Sequence, residues 1–357
     1  MDFPVSLRAV VLDLPPAYFA LVMATGIVSI AAHGLGPAVV GRALFYLNGA
    51  FYAVLALLHG LRLILYPRRC LADLHDPDSG PGYFTWIAAT AVLGSQCIVF
   101  AQAERAAAGL LAAAAVLWAV LTYAVFTALA LRQEKPTLDA GINGGWLIAV
   151  VAMQSLAVLT THLAGQWDQP ARLELHFAAL ALWLAGIMLY LWLGLLIFYR
   201  FYFFALTPEN LLPTHWISMG ALAISTLAGS MLITHSVHGA PYLASLRPFL
   251  EGFTVFCWAG GTWWLPLLAI FGCWRHGMRG VPLTYEPMYW GLVFPLGMYA
   301  VATEHMSQSM GLAFTDPAAE IFCYIALVAW AVTFVGLVRR IGSALKKAVL
   351  PVDSGHG

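Results

Sequence analysis

The chain has 357 residues, 61% of them hydrophobic and only 10% charged, with a mean hydropathy of +0.81. Soluble domains carry about 25% charged residues, so the composition excludes a soluble domain and describes a polytopic membrane protein. Seventeen basic residues balance seventeen acidic ones without forming a basic tract, which leaves no nucleic-acid footprint. The five cysteines are scattered without a CxxC pair and imply neither a disulfide framework nor a metal site.

In chain order, residues 1–14 are mixed and proline-bearing, too short for a cleavable signal, and are expected to form a cytoplasmic N-terminal segment. Apolar runs of spanning length follow at 15–34, 38–66, 82–102, 106–132, 143–164, 172–202, 214–236, 244–275, 285–305 and 314–340. These predict an all-α fold of ten transmembrane helices over 15–340, with residues 341–357 as a cytoplasmic tail whose end is disordered. Thirteen Lys and Arg residues lie on the side of the N-terminus and of the even-helix ends, against four on the other side. The positive-inside rule then places both termini in the cytoplasm of a plasma (inner) membrane protein.

The odd-numbered runs share an opening. Each begins with aromatic residues, anchored at Phe19, Phe84, Trp146, Trp216 and Trp290, at spacings of 65, 62, 70 and 74 residues. Pro15-Pro16, Pro81-Gly82, Gly144-Gly145, Pro213 and Pro287 stand just ahead of them. An aromatic belt at the membrane interface explains the rings themselves, but not their restriction to odd helices. The pattern reads as five helical hairpins. A two-span unit always enters from the same face, so such repeats are related by an axis along the membrane normal and close around a centre.

Small residues mark the odd helices as the inner ones. Thr25, Ser29 and Ala32 share a face, as do Ala88, Ala91 and Ser95, and Ser218, Ala221, Ser225 and Gly229. Single faces of this kind also serve simple helix packing; their recurrence on the odd helices favours an inner ring. The even helices are longer, richer in Leu and expected to face lipid. Four residues beyond the anchors lie Met23, Ala88, Val150, Gly220 and Phe294. Four are small or flexible and one is a phenyl ring. A single aromatic across such a lumen interrupts the water column, so Phe294 is the candidate gate, acting by steric block and dewetting. Pro295 beside it lacks an N–H and crowds the carbonyl of Gly291, which predicts a kinked or opened ninth helix. Three residues further on, Gly26 and Gly297 permit bending. Met23, Thr25, Gly26, Ala88, Ser95, Val150, Gly220, Ser225, Pro295 and Gly297 are the candidate pore-lining set.

No Arg, Lys, Asp or Glu lies inside an odd run; Glu286 and Glu304 sit at the ends. Ion-coupled carriers usually show an intramembrane charge, so the pattern favours a passive conduit. His59, His162, His176, His215, His235 and His305 lie in or near spans, which keeps a haem-binding oxidoreductase open as an alternative. No pair has a ligating spacing, and interfacial histidines are the preferred reading. Glu304-His305 is a candidate pH-sensitive rim. No cofactor, metal or enzymatic activity is expected.

The stretches Pro15-Pro16-Ala17-Tyr18-Phe19-Ala20-Leu21-Val22-Met23-Ala24-Thr25-Gly26-Ile27 and Tyr289-Trp290-Gly291-Leu292-Val293-Phe294-Pro295-Leu296-Gly297 resemble the tellurite-resistance/C4-dicarboxylate transporter family. That family includes slow-type anion channels, tellurite-resistance permeases, and malate and sulfite carriers. The resemblance implies ten helices in quasi-five-fold order, odd helices lining the pore, a homotrimer, and occlusion by a ninth-helix phenylalanine that Phe294 matches in its F-P setting. The long cytoplasmic tails of the plant members are absent. The resulting expectation is a channel or permease for small inorganic or organic anions in the lipid bilayer. The alternative is a proton-coupled secondary transporter of C4-dicarboxylates, sulfite or tellurite.

Overall fold

The computed structural model describes residues 7–236 and 241–349. The described residues are helical, without a strand, and ten of the helices are long. They are α1 (Pro16–Leu35), α2 (Ala38–Leu65), α3 (Gly80–Ala101), α4 (Glu104–Leu131), α5 (Gly144–Ala164), α6 (Ala171–Phe203), α7 (Pro213–His235) and α8 (Pro241–Met278). α9 (Trp290–Met310) and α10 (Asp316–Val349) complete the set. All but α9 are long and apolar enough to span a bilayer on their own composition. Pro295, Glu304, His305, Ser307, Gln308 and Ser309 dilute α9, and its place in the bundle explains why it tolerates them.

The helices form five hairpins. Each odd helix packs against the even helix that follows it, and the odd helices also touch in the cycle α1, α3, α5, α7, α9 and back to α1. Each even helix leans in turn on the odd helix of the next unit, ending with α10 on α1. The result is a closed inner ring within an outer ring. Burial follows that division. In the most apolar stretches of α1, α3, α5 and α7, 72%, 61%, 94% and 94% of residues are buried, against 11–44% for the even helices. α9 is buried along most of its length. It meets little lipid, so a spanning-length apolar surface is not required of it.

A shared opening gives the repeat a physical form. Each inner helix begins in a 3₁₀ turn: Pro16–Phe19, Gly80–Tyr83, Gly144–Leu147, Pro213–Trp216 and Pro287–Tyr289. Proline suits the first turn of a helix because its missing N–H has no intrahelical partner there. On the same face, most of the outer helices end in an arginine that holds a neighbouring loop. Arg62 donates to the Leu12 carbonyl at 3.2 Å and pairs with Asp73 at 2.5 Å. Arg132 donates to the carbonyl of His75, Arg200 to those of Asp139 and Ala205, and Arg275 to that of Leu211. Arg340 at the end of α10 lies over the Tyr285 ring. We call this the arginine face.

Hydrogen bonds between helices fasten the first hairpin to the second. Asn48 Nδ2 on α2 donates to Gln96 Oε1 on α3 at 2.7 Å, and Gln96 Nε2 donates to Ser29 Oγ on α1 at 2.9 Å. Ser29 Oγ donates in turn to the carbonyl of Gly41 at 2.9 Å. In a bilayer such contacts matter because helix association gains nothing from removing apolar surface from water.

Three details differ from the sequence expectations. α9 starts and ends about one turn later than the run 285–305, so Glu304 lies inside it rather than at its end. The helix continues unbroken through Pro295. With α9 starting at Trp290, the proline falls early in the helix and deprives only the Gly291 carbonyl of its helical donor. α10 runs on to Val349, past residue 340 and into the stretch expected to be a tail. The end of that expected tail, and residues 1–6 of the N-terminal segment, lie outside the described residues. Within the segment, Leu7–Leu12 forms a short helix, and Val11 is buried.

Candidate functional site: the axis of the inner ring

Two cavities lie on the axis, and all five inner helices line each of them. The first opens toward the arginine face and has a volume of about 340 Å³. The second lies toward the opposite face and measures about 90 Å³. Their linings follow a three-four spacing that places one face of each helix toward the centre. On α1 the series is Ala20 and Met23 for the first cavity, then Ile27 and Ile30 for the second. On α9 it is Gly291 and Phe294, then Met298, Val301 and His305.

The other inner helices skip one step. α3 offers Thr85 to the first cavity and Val92, Ser95 and Val99 to the second. α5 offers Ile148, then Ser155, Val158 and His162; α7 offers Thr214 and Ile217, then Ile224, Leu227 and Met231. The skipped positions are Ala88, Val151 and Gly220, on the level of Met23 and Phe294. At this level the two cavities separate. The Phe294 side chain is 1% exposed and Met23 3%, with Ala88 and Val151 fully buried around the same level.

The candidate lining residues divide between the axis and the helix contacts. Met23 and Phe294 border the first cavity, and Ser95 the second. Thr25 turns toward α10, where its hydroxyl accepts the Trp330 indole N–H at 2.9 Å. Gly26 sits against α2 and α3: a Cβ there would stand 2.5 Å from Val92 and 2.9 Å from Asn48. Gly220 packs against Pro295, which a Cβ would meet at 2.7 Å, and Gly297 packs against Ile27 and Val28 of α1. Ser225 Oγ donates to the carbonyl of Ala221, and its own carbonyl accepts the Trp183 indole of α6. Ala88 and Val150 are buried and border neither cavity.

Polar groups on the axis are few and differ between the cavities. Thr214 Oγ1 in the first and Ser155 Oγ in the second are buried and have no hydrogen-bond partner among the described residues. A buried hydroxyl without a partner carries a desolvation cost that a passing polar ligand would relieve. Asp78 and Glu286 also border the first cavity, with no Lys or Arg among its lining residues. Asp78 accepts from Asn143 Nδ2 at 3.1 Å. Partial burial and the neighbouring Asp76 carboxylate hold it above the ordinary carboxylate range. His162 and His305 border the second cavity. In the sequence both histidines read as interfacial groups, with His305 beside Glu304 as a candidate pH-sensitive rim, and Ser155, Thr214 and Asp78 are passed over. A three-four walk down each odd helix from its 3₁₀ turn would have reached Thr85, Ser155 and His162.

A membrane protein with a closed ring of five like hairpins and two cavities on its axis fits the class of channels and transporters. Comparison with known proteins defines the class further. The SLAC1 family, described as voltage-dependent anion channels, matches residues 13–338, and the chain belongs to this family. Two uncharacterized transporters of Methanocaldococcus jannaschii are 25% identical to it. One aligns over 352 residues, covering 94% of this chain and 97% of the relative, and the other over 341 residues, covering 93% and 94%. An uncharacterized membrane protein of Mycobacterium tuberculosis is 32% identical over 162 residues, covering 45% of this chain and 81% of the relative. The protein is thus a membrane transporter or channel of an anion-handling family rather than a member of an enzyme family.

Proposed function

We propose that the chain conducts small anions along the axis of the inner ring, and that Phe294 closes the passage. The observation that carries this reading is the pair of axial cavities, each bordered by all five inner helices and separated at Phe294 and Met23. A phenyl ring at a constriction walled by small side chains blocks the passage sterically and disfavours a continuous water column. Beyond it the Ser155 hydroxyl, without a hydrogen-bond partner among the described residues, offers a donor to a partly dehydrated anion, whereas Ser95 Oγ donates to the Ala91 carbonyl at 3.2 Å. The arginine face, by the positive-inside rule, is the cytoplasmic one, and the membrane is the plasma membrane. Substrates of this kind are halides, nitrate, sulfite, tellurite or dicarboxylates, and the assembly in the membrane is a homotrimer.

The purified chain in planar bilayers or liposomes, under a gradient of one anion at a time, tests this reading. Reversal potentials that follow the anion gradient and ignore potassium support it. Cation-following potentials, or no flux from either wild type or Phe294→Ala, overturn it.

The carboxylates of Asp78 and Glu286 at the first cavity favour a second reading, a proton-coupled carrier. An acidic vestibule repels anions but accepts a proton with them. Saturable, pH-linked accumulation against a gradient would mark the carrier; simple dissipation of the gradient would mark the channel.

A further inference from the structure

The second axial cavity holds imidazoles that conduction through the Phe294 level leaves unused. His162 of α5 and His305 of α9 border it at the end remote from the arginine face. Ser155, two turns below His162 on the same face of α5, is 2% exposed, and its hydroxyl has no hydrogen-bond partner among the described residues. Behind this pair stands His235 of α7. A Cβ built on Gly165, just past α5, would lie 3.6 Å from the His235 ring, so this imidazole closes over the end of α5. His176 of α6 follows, its ring 5.8 Å from that of His235, fully buried and with neither ring nitrogen hydrogen-bonded among the described residues. Four helices thus bring four imidazoles together at one end of the inner ring, two of them bordering the cavity.

We propose that this end of the pore is an anion-binding site: His162 and His305, with Ser155 beneath and His235 and His176 behind, take up a small inorganic or carboxylate anion when the imidazoles are protonated. A neutral cavity of Ile27, Val92, Ile224 and Met298 solvates an anion poorly. An imidazolium supplies both charge and N–H donors, and Ser155 supplies an O–H. Of the rings behind the cavity, His235 has its Nδ1 at 2.8 Å from the Met231 carbonyl, whereas His176 has no hydrogen-bond partner among the described residues.

The groups nearest these rings repel added positive charge, so the imidazoles charge only together with a bound anion that offsets the repulsion. His305 is in electrostatic contact with His162 and His235, and His176 with His235 and Arg172. The nearby carboxylates are Glu304 and Asp316. Glu304 stands against Gly34 of α1, which a Cβ would place 3.2 Å from its oxygens, and receives Gln308 Nε2 at 3.3 Å. Asp316 of α10 accepts Ser307 Oγ at 2.5 Å. Both lie on the α1–α10 side of α9, away from α5. Arg247 and Glu251 of α8 neutralise each other at 2.7 Å. His33 of α1 packs on Phe100 of α3, and Glu104 and Arg105 open α4.

This inference rests on the conduit reading, and the experiment separates the two. Currents through Phe294→Ala in planar bilayers are recorded in nitrate while each chamber is brought in turn from pH 7.5 to pH 5. The site predicts a rise of about tenfold, from local anion enrichment, when the chamber opposite the arginine face is acidified. The double variant His162→Gln/His305→Gln in the same background removes that response and still conducts. His305→Arg holds the current high at pH 7.5, and His75→Gln, on the arginine face, leaves the response intact. Nitrate current that ignores pH, or a response that survives the double variant, overturns the site while leaving the conduit in place. Absence of any anion current from Phe294→Ala overturns the conduit reading and the site with it.

Discussion

The inner and outer helices of this protein are built from similar residues under opposite constraints. An outer helix such as α4 presents Leu, Val and Tyr to the bilayer, and only 11% of its most apolar stretch is buried. Its neighbour α5, of nearly equal hydropathy, is 94% buried over the same length of helix. Hydropathy therefore separates membrane from water but does not separate lipid from protein. What separates them is the size of the residue at each contact. Gly220, Gly26 and Gly297 sit where inner helices meet their neighbours at backbone distance, whereas Gly49, Gly109, Gly252 and Gly272 on outer helices face open space.

The largest effect should come from filling one of the tight contacts. Gly220→Val drives side-chain atoms into Pro295 at the Phe294 level, and overpacking of this kind costs about 1–3 kcal/mol or more. Gly252→Val on α8, where nothing lies within 4 Å, should change stability by no more than about 0.5 kcal/mol. Thermal unfolding of the two variants in one detergent measures the contrast; equal losses would erase the distinction between the rings.

A smaller loss is expected where the rings are joined by hydrogen bonds. Gln96→Ala leaves Asn48 Nδ2 and Ser29 Oγ without their partner, a loss of roughly 1–2 kcal/mol for an interhelical bond in a membrane. Gln96→Glu, which when protonated keeps a carbonyl acceptor toward Asn48 Nδ2 and an O–H donor toward Ser29 Oγ, should recover part of it. The same unfolding assay reports both, and an unchanged midpoint for Gln96→Ala would remove the network from the account.

The smallest effect concerns the vestibule. Asp78 has its folded-state pKa raised by partial burial and by Asp76, so its protonated form is the one the fold favours. The resulting stability is complete below the unfolded value of about 3.9 and is lost as pH rises through the folded value. Asp78→Asn should therefore leave the midpoint unchanged at pH 3 and raise it slightly at pH 7. A lowered midpoint at pH 7 would mean that the Asn143 hydrogen bond outweighs desolvation.

Much of this architecture was legible in the residues. Phe19, Trp216 and Trp290 with their prolines marked the entries of α1, α7 and α9, because proline suits a first turn, where its missing N–H has no intrahelical partner. The register of the lining was less legible. Trp146 lies inside its turn Gly144–Leu147, whereas Phe19 and Trp216 end theirs and Phe84 and Trp290 follow theirs. An overlay on the rings therefore selects Val150, while the three-four series from Ile148 to Ser155 passes through Val151. Small residues also misled, since one glycine can serve a pore or a helix contact and only the neighbouring chain decides which. The histidines of the second cavity come from helices far apart in sequence, so no local spacing could pair them.

Closure of the axis depends most directly on the Phe294 ring at the junction of the two cavities. Anion flux into liposomes should rise about tenfold for Phe294→Ala, the change expected if the barrier falls by about 1.4 kcal/mol. Phe256→Ala, which removes an equally large ring from the lipid-facing side of α8, should leave flux unchanged. Equal flux from wild type and Phe294→Ala at matched protein density, in a preparation that conducts, would contradict the claim that this side chain closes the passage.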